Sequence, residues 1–295
     1  MDITIPETTF DVCVVGSSNL DLVATTEHLP GVGETVMGRD YAEHPGGKGL
    51  NQAVASARAG ARTTFVSAVG GDAAADVLLD VMTREGIDTS YVTHLADRPT
   101  GRALIGVGDS GENSIIVVPG ANAALSVIRL PPAKVVLAQL EVPVATIEAA
   151  FTLARAMGAI TVLNPAPAQA LSSELLRLCD VVVPNEHEVD LLGGVGALVA
   201  LGAEIVVVTQ GKDGATLSTT EGVQWIPPFA VDAVDTTGAG DTFCGSLCAR
   251  LALGEDLLVA LRYASAAAAI STTRSGAVPS IPRLSEVEAL LGAAG

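Results

Sequence analysis

The stretch Asp235-Thr236-Thr237-Gly238-Ala239-Gly240-Asp241-Thr242-Phe243 sets glycines and carboxylates directly before an apolar pattern. Phe243, Leu247, Leu251 and Leu253 return near helical spacing, so a buried helix is predicted to begin at the glycines. The first turn of a helix presents N–H groups with no intrahelical partner at the positive end of the dipole, and these hold an anion without a basic side chain. Asp241 stands at the edge of that trap. Its carboxylate could take a proton from an attacking hydroxyl while the amides hold a migrating phosphoryl group. A turn that merely feeds a helix, with Asp241 complementing the dipole, accounts for the same residues, and a short motif alone does not separate the two readings.

Further candidates stand where strands are predicted to end. Phe10–Gly16 reads as a first buried strand opening into a loop, Ser17-Ser18-Asn19-Leu20-Asp21, whose Asn19 and Asp21 could bond sugar hydroxyls or simply form an Asx turn. Gln139-Leu140-Glu141, Pro184-Asn185-Glu186-His187-Glu188 and Thr209-Gln210-Gly211-Lys212-Asp213-Gly214 also lie at strand ends. All would face one rim, the usual ligand crevice of an open α/β sheet. Glu188 or Glu141 could hold Mg²⁺ through water, or each could be no more than a helix N-terminal acid. Gly47-Lys48-Gly49-Leu50-Asn51 opens a helix in which Lys48 could be no more than a solvated charge.

The elements that must position these groups are β and α in alternation. Thr63–Ala68, Ala133–Leu140, Ala159–Leu163, Asp180–Val183 and Ile205–Thr209 are short apolar runs separated by helical stretches such as Val144–Met157 and Ser172–Leu178. Segments of about 35–45 and 99–119 fall outside this alternation and read as a small β-lid. Gly106-Val107-Gly108-Asp109-Ser110-Gly111 fits the dinucleotide fingerprint in letters, but β-branched Asn113–Val118 follows where a helix is required, so it reads as a hairpin turn. No phosphate-binding G-x-x-x-x-G-K-[ST] loop occurs.

Composition narrows the classes. Of 295 residues 49% are hydrophobic but only three are Tyr, five Phe and one Trp, so the core must be aliphatic, as in a parallel sheet under closely packed helices. A net charge of −17 repels nucleic acid and anionic membranes. Cys13, Cys179, Cys244 and Cys248 lack metal-ligand spacing and read as small core residues. Met1–Glu7 carries no basic region or long apolar run, which leads us to expect a cytoplasmic protein.

Taken together, Pro45-Gly-Gly-Lys-Gly-Leu-Asn51-Gln-Ala-Val-Ala and Asp235-Thr-Thr-Gly-Ala-Gly-Asp241 resemble the two signatures of the PfkB carbohydrate kinases, in the expected order and separation. Gly120–Leu125, Leu163–Pro167, Ala266–Ile270 and Thr273–Gly276 extend the resemblance over nearly the whole chain. It implies one domain over 1–295 with a ribokinase-like three-layer α/β/α sandwich, a mostly parallel central sheet and a β-lid that pairs two copies into a homodimer. Within the family, the ribose-phosphorylating members are the most similar, so the implied reaction turns ATP and D-ribose into D-ribose 5-phosphate and ADP.

By this resemblance Asp241 is the base and Gly238, Ala239 and Gly240 the anion hole. Asn19, Asp21, Gly47, Lys48, Gly49, Asn51 and Glu141 match sugar-side positions. Asn185, Thr209, Gln210, Gly211, Lys212, Asp213, Gly214, Gly240 and Ser265 match the nucleotide side, Glu188 a Mg²⁺-associated acid, and Asp235, Thr237, Ser271, Arg274, Gly276 and Ser280 a K⁺ site. The segment from Asn185 to Thr209 is shorter than is usual in the family, and Ser265 replaces a larger polar residue. Relatives acting on deoxyribose, fructose or pseudouridine would share the catalytic residues. A non-catalytic sugar-binding regulator would have lost Asp241 or the glycines, and this chain keeps them.

Overall fold

The computed structural model describes residues 9–293, and Met1–Glu7 lies outside them. In chain order the strands are β1 (Phe10–Val15), β2 (Asn19–Thr26), β3 (Gly38–Gly46), β4 (Thr63–Gly70), β5 (Val92–Leu95), β6 (Gly101–Val107), β7 (Asn113–Val118), β8 (Ala133–Gln139), β9 (Ile160–Asn164), β10 (Val181–Val182), β11 (Ile205–Thr209), β12 (Ala215–Thr219) and β13 (Gly222–Ile226). The helices are α1 (Lys48–Arg58), α2 (Ala73–Arg84), α3 (Val144–Ala156), α4 (Ser173–Arg177), α5 (Glu186–Leu191), α6 (Val195–Leu201), α7 (Ala239–Ala252), α8 (Leu257–Ser271) and α9 (Leu284–Ala293).

The main sheet runs β13-β12-β11-β10-β9-β8-β1-β4-β5. It is parallel from β11 to β5, and β12 and β13 add an antiparallel edge. Strand residues alternate between two buried layers because neighbouring side chains leave a strand on opposite faces. Val12 and Val14 join Leu50, Phe243 and Leu247 in one layer, while Cys13 and Val15 join Ile147, Phe151 and Leu175 in the other. Helices therefore cover both faces, as the aliphatic composition requires.

The chain winds outward in both directions from β1, towards β4 on one side and β8 on the other. The carboxyl ends of β1 and β8 thus flank the switch in strand order, where open α/β sheets form their crevice. Both ends carry polar residues: Ser17 and Ser18 follow β1, and Glu141 follows β8.

A second sheet has the order β3-β2-β6-β7. It corrects the expected loop at Ser17–Asp21, because only Gly16, Ser17 and Ser18 lie between β1 and β2, which begins at Asn19. The cause is tertiary: β2 finds an antiparallel partner in β3 and a parallel one in β6, so its backbone groups are bonded to distant chain. The dinucleotide look-alike is the β6–β7 turn, with Val107 opposite Asn113. Among the described residues no helix is long and apolar enough to cross a membrane.

Candidate active site

Helix α7 begins where the glycines and apolar spacing place it. Gly238 is its N-cap at φ 75°, a left-handed conformation that costs glycine little, and Ala277 sits 3.2 Å from where a Cβ would stand. A larger residue at 238 would have to push the 276–280 segment away. The N–H of Ala239 donates to Thr236 O at 3.2 Å, so part of the expected anion hole is already engaged. By helix geometry the N–H groups of Gly240 and Asp241 in the first turn have no intrahelical acceptor.

Asp241 is 7% exposed and is held from α1. Asn51 Nδ2 donates to its Oδ2 at 2.9 Å and Gln52 Nε2 to its Oδ1 at 2.8 Å. The two helices pack closely at Gly245, whose carbonyl accepts from Ser56 Oγ at 3.0 Å. Asn51 Oδ1 is buried with no protein partner.

Around the start of α1 the sugar-side candidates converge. Ser17 Oγ donates to Glu141 Oε2 at 2.5 Å, and the same oxygen accepts from the backbone of Lys48 at 3.1 Å. Burial, with the nearby Glu141 charge adding to it, pushes the Asp21 carboxyl up to about 7. Asn19 is buried, and its Oδ1 accepts from Asn122 Nδ2 at 2.8 Å. Burial alone would lower the Lys48 ammonium, but the charges of Asp241, Glu141 and Glu188 outweigh it and hold the group above its ordinary value.

A cavity of about 140 Å³ lies over this centre, lined by Lys48, Asn164, Asn185, Glu188, Gly238, Gly240, Asp241 and Cys244, among others. A larger one of about 500 Å³ adjoins it at Thr209 and Gly240 and is otherwise mostly apolar, with Gly211, Lys212, Gly214, Phe229, Phe243 and Ser265 in its walls. Ser265 Oγ is buried there without a protein partner. Gln210 and Asp213 are not among the residues lining that cavity; Gln210 Oε1 accepts from Thr216 Oγ1 at 2.7 Å, and the backbone carbonyl of Asp213 accepts from Trp225 Nε1 at 3.0 Å.

Asn185 and Glu188 form a capping box at the start of α5. Asn185 Oδ1 accepts from the Glu188 N–H at 2.8 Å and Glu188 Oε2 from the Asn185 N–H at 2.9 Å. Burial raises the Glu188 carboxyl above its ordinary value, against the opposing Asn185 bond and Lys48 charge. Among the described residues no group of three or more His, Cys, Asp or Glu is placed to hold a metal. Glu188, in the wall of the smaller cavity, is a single carboxylate of the kind that suits Mg²⁺ carried on phosphates with most of its water.

The 235–237 and 271–280 segments do meet. Asp235 Oδ1 accepts from the Thr237 N–H at 2.9 Å and Oδ2 from the Gly276 N–H at 2.8 Å. Burial works against the Asp235 charge, but these bonds outweigh it and hold the carboxyl below the usual range. The hydroxyls of Ser271 and Ser280 donate to Ala268 O and Ala277 O, and Arg274 pairs with Glu286. Donating its proton leaves a hydroxyl oxygen its lone pairs, so Ser271 and Ser280 keep an oxygen that could face a cation, while the Arg274 guanidinium is engaged by Glu286.

Sequence reasoning gave no role to Gln52, Asn122 and Asn164, and it placed Gln139 at a strand end on the rim without assigning it one. The available signal was chemical: each is an amide within an otherwise apolar or tightly turned stretch, and a buried amide needs partners.

Comparison with known proteins fits this geometry. The family profile described as pfkB family carbohydrate kinase matches residues 9–284. A ribokinase of Staphylococcus aureus (strain COL) is 40% identical over 94% of this chain and 98% of its own length. The crystal structure of ribokinase from Thermotoga maritima superposes with a TM-score of 0.88 at 37% identity, covering 95% of this chain and 99% of that one. The structure of Arabidopsis thaliana ribokinase complexed with ribose and ATP gives 0.90 at 30% identity, with 96% and 99% covered.

Proposed function

The chain belongs to the pfkB family of carbohydrate kinases, and from that premise we propose that it transfers the γ-phosphoryl group of ATP to the 5-hydroxyl of D-ribose. The observation that carries this reading is the bond from Asn51 to Asp241, which joins the sugar-side turn to the first turn of α7. Ribose lies between Asn19, Asp21, Asn51 and Glu141. ATP lies along the larger cavity, with its γ-phosphate near Gly240.

The 5-hydroxyl oxygen attacks the γ-phosphorus as its proton passes to Asp241. The bond from phosphorus to the β,γ-bridging oxygen breaks, its electrons leave on ADP, and D-ribose 5-phosphate is formed. The charge in flight on the phosphoryl oxygens is held by the first-turn amides of α7 and by the Lys48 ammonium, groups already oriented before reaction. Mg²⁺ bound with ATP would neutralise phosphate charge, and Glu188 would hold it through water.

Asp235 and backbone carbonyls of the 271–280 segment would hold K⁺. The four-stranded sheet serves as the lid of a single domain. Its edge strand β7 exposes Ile115, Ile116, Val117 and Val118, an apolar run suited to a second copy of the chain in a homodimer. Ile116→Glu should then sediment as a monomer where the wild type is a dimer. The enzyme acts in the cytoplasm, where its phosphate donor is.

The deciding experiment measures ADP release from Mg-ATP with ribose, 2-deoxyribose, fructose, adenosine and pseudouridine. Ribose should give the highest kcat/KM. Preference for another sugar would move the assignment within the family, and no turnover with any of them would make the chain a regulator.

A further inference from the structure

A row of buried carboxamides leads from the end of β8 to Asp241. Gln139 Nε2 donates to Gln52 Oε1 at 2.5 Å. Gln52 Nε2 donates to Asp241 Oδ1 at 2.8 Å and to Asn164 Oδ1 at 3.1 Å, and Asn164 Nδ2 donates to Val183 O at 2.9 Å. Gln139 and Gln52 are both fully buried.

The direction of every bond follows from its neighbours. Val183 offers a carbonyl, so Asn164 must turn its NH₂ there and its oxygen towards Gln52. Asp241, when ionised, only accepts. Gln52 therefore faces two acceptors and must present NH₂ to both, which leaves its oxygen pointing at Gln139. Only a donor at 139 satisfies that oxygen, and reversing Gln52 would set its oxygen against the carboxylate.

Gln139 keeps this direction at a cost, since its own Oε1 is buried without a partner. The chain at β1 also makes room for it: a Cβ at Gly16 would overlap that oxygen. A buried oxygen left without a partner, on a side chain that lines neither cavity, calls for a role beyond filling space.

We propose that Gln139 is a positioning residue that acts through Gln52, fixing the direction of the Gln52 amide so that Asp241 is held by neutral donors with its oxygens aimed at the sugar hydroxyl. This rests on Asp241 being the base.

The experiment is a single-turnover measurement of phosphoryl transfer to ribose for the wild type, Gln139→Met, Gln52→Met, the double variant and, as a control on the base itself, Asp241→Asn. Loss of turnover in Asp241→Asn, with wild-type activity intact, tests the functional reading separately. Gln139→Met should slow transfer roughly tenfold to 10²-fold, the scale of a misplaced catalytic group, with ribose and ATP KM changed less than about threefold. In the Gln52→Met background it should add nothing, because the route to Asp241 is already cut. A wild-type transfer rate in Gln139→Met overturns the proposal. So does the same fold-loss in both backgrounds, or a loss carried by KM. Melting temperatures identify a variant that fails to fold, and Gln139→Leu then takes the place of Met.

Discussion

Asn51 and Asp241 lie 190 positions apart in the chain, yet Asn51 Nδ2 rests 2.9 Å from Asp241 Oδ2. The first turns of α1 and α7 thus meet at one carboxylate, which ties the sugar-side motif to the phosphoryl-side motif.

Replacing Asp241 by Asn puts an NH₂ where one of two donors, Asn51 or Gln52, already points. The variant should lose kcat by roughly 10²–10⁴-fold, the contribution of a positioned general base, while calorimetry still detects ribose. Unchanged kcat, or absent ribose binding, would remove the assigned role.

If Asp21 and Asn51 bond the ribose hydroxyls, as proposed, a sugar without the 2-hydroxyl would leave polar atoms unpaired. The penalty is at least ~1–3 kcal/mol, so 2-deoxyribose should be the poorer substrate by roughly five- to 150-fold in kcat/KM. Equal values for the two sugars would contradict this and favour a deoxyribose kinase.

The Asp21 carboxyl is pushed up to about 7 by burial and then by Glu141, so with ribose bound as proposed sugar binding should depend on pH. Its folded value lies above the ordinary 3.8, so its contribution to stability is fully present below about pH 4 and is lost as pH rises through about 7. A ribose hydroxyl donating to Asp21 favours the ionised form, so binding near pH 7 should release a proton and weaken below it, at most about tenfold per unit. Calorimetry in two buffers of different protonation enthalpy checks this. Equal heats would show that no proton is released.

Potassium should raise kcat for ribose relative to Na⁺ and a bulky organic cation at matched ionic strength, which holds screening of the −17 chain constant. The cause would be a fixed Thr237–Gly240 turn, since Asp235 already bonds both Thr237 and Gly276. Equal rates in all three salts would remove the cation site, and loss of the K⁺ effect in Asp235→Ala would locate it.

The start of α7, the β/α alternation and the turn at Gly108 were legible in the sequence because each rests on local physics: apolar spacing, glycine at a helix entry, β-branched residues after a turn. The two signatures likewise named Asp241 and Asn51 before any contact was known. Other features depend on partners far along the chain. Asn19–Thr26 is a strand because β3 and β6 supply its hydrogen bonds, and β12 and β13, absent from the sequence reading, form the antiparallel edge beyond β11. Arg274 turns to Glu286, a pairing no local pattern announces, whereas Asn185 and Glu188 cap each other across three positions, a spacing already present in the sequence. Gln52 and Gln139 show the division most clearly. Their letters showed only two amides, and the direction in which each donates was decided when the sheet and α1 brought the acceptors Asn164 and Asp241 to one side of Gln52 and left Gln139 on the other.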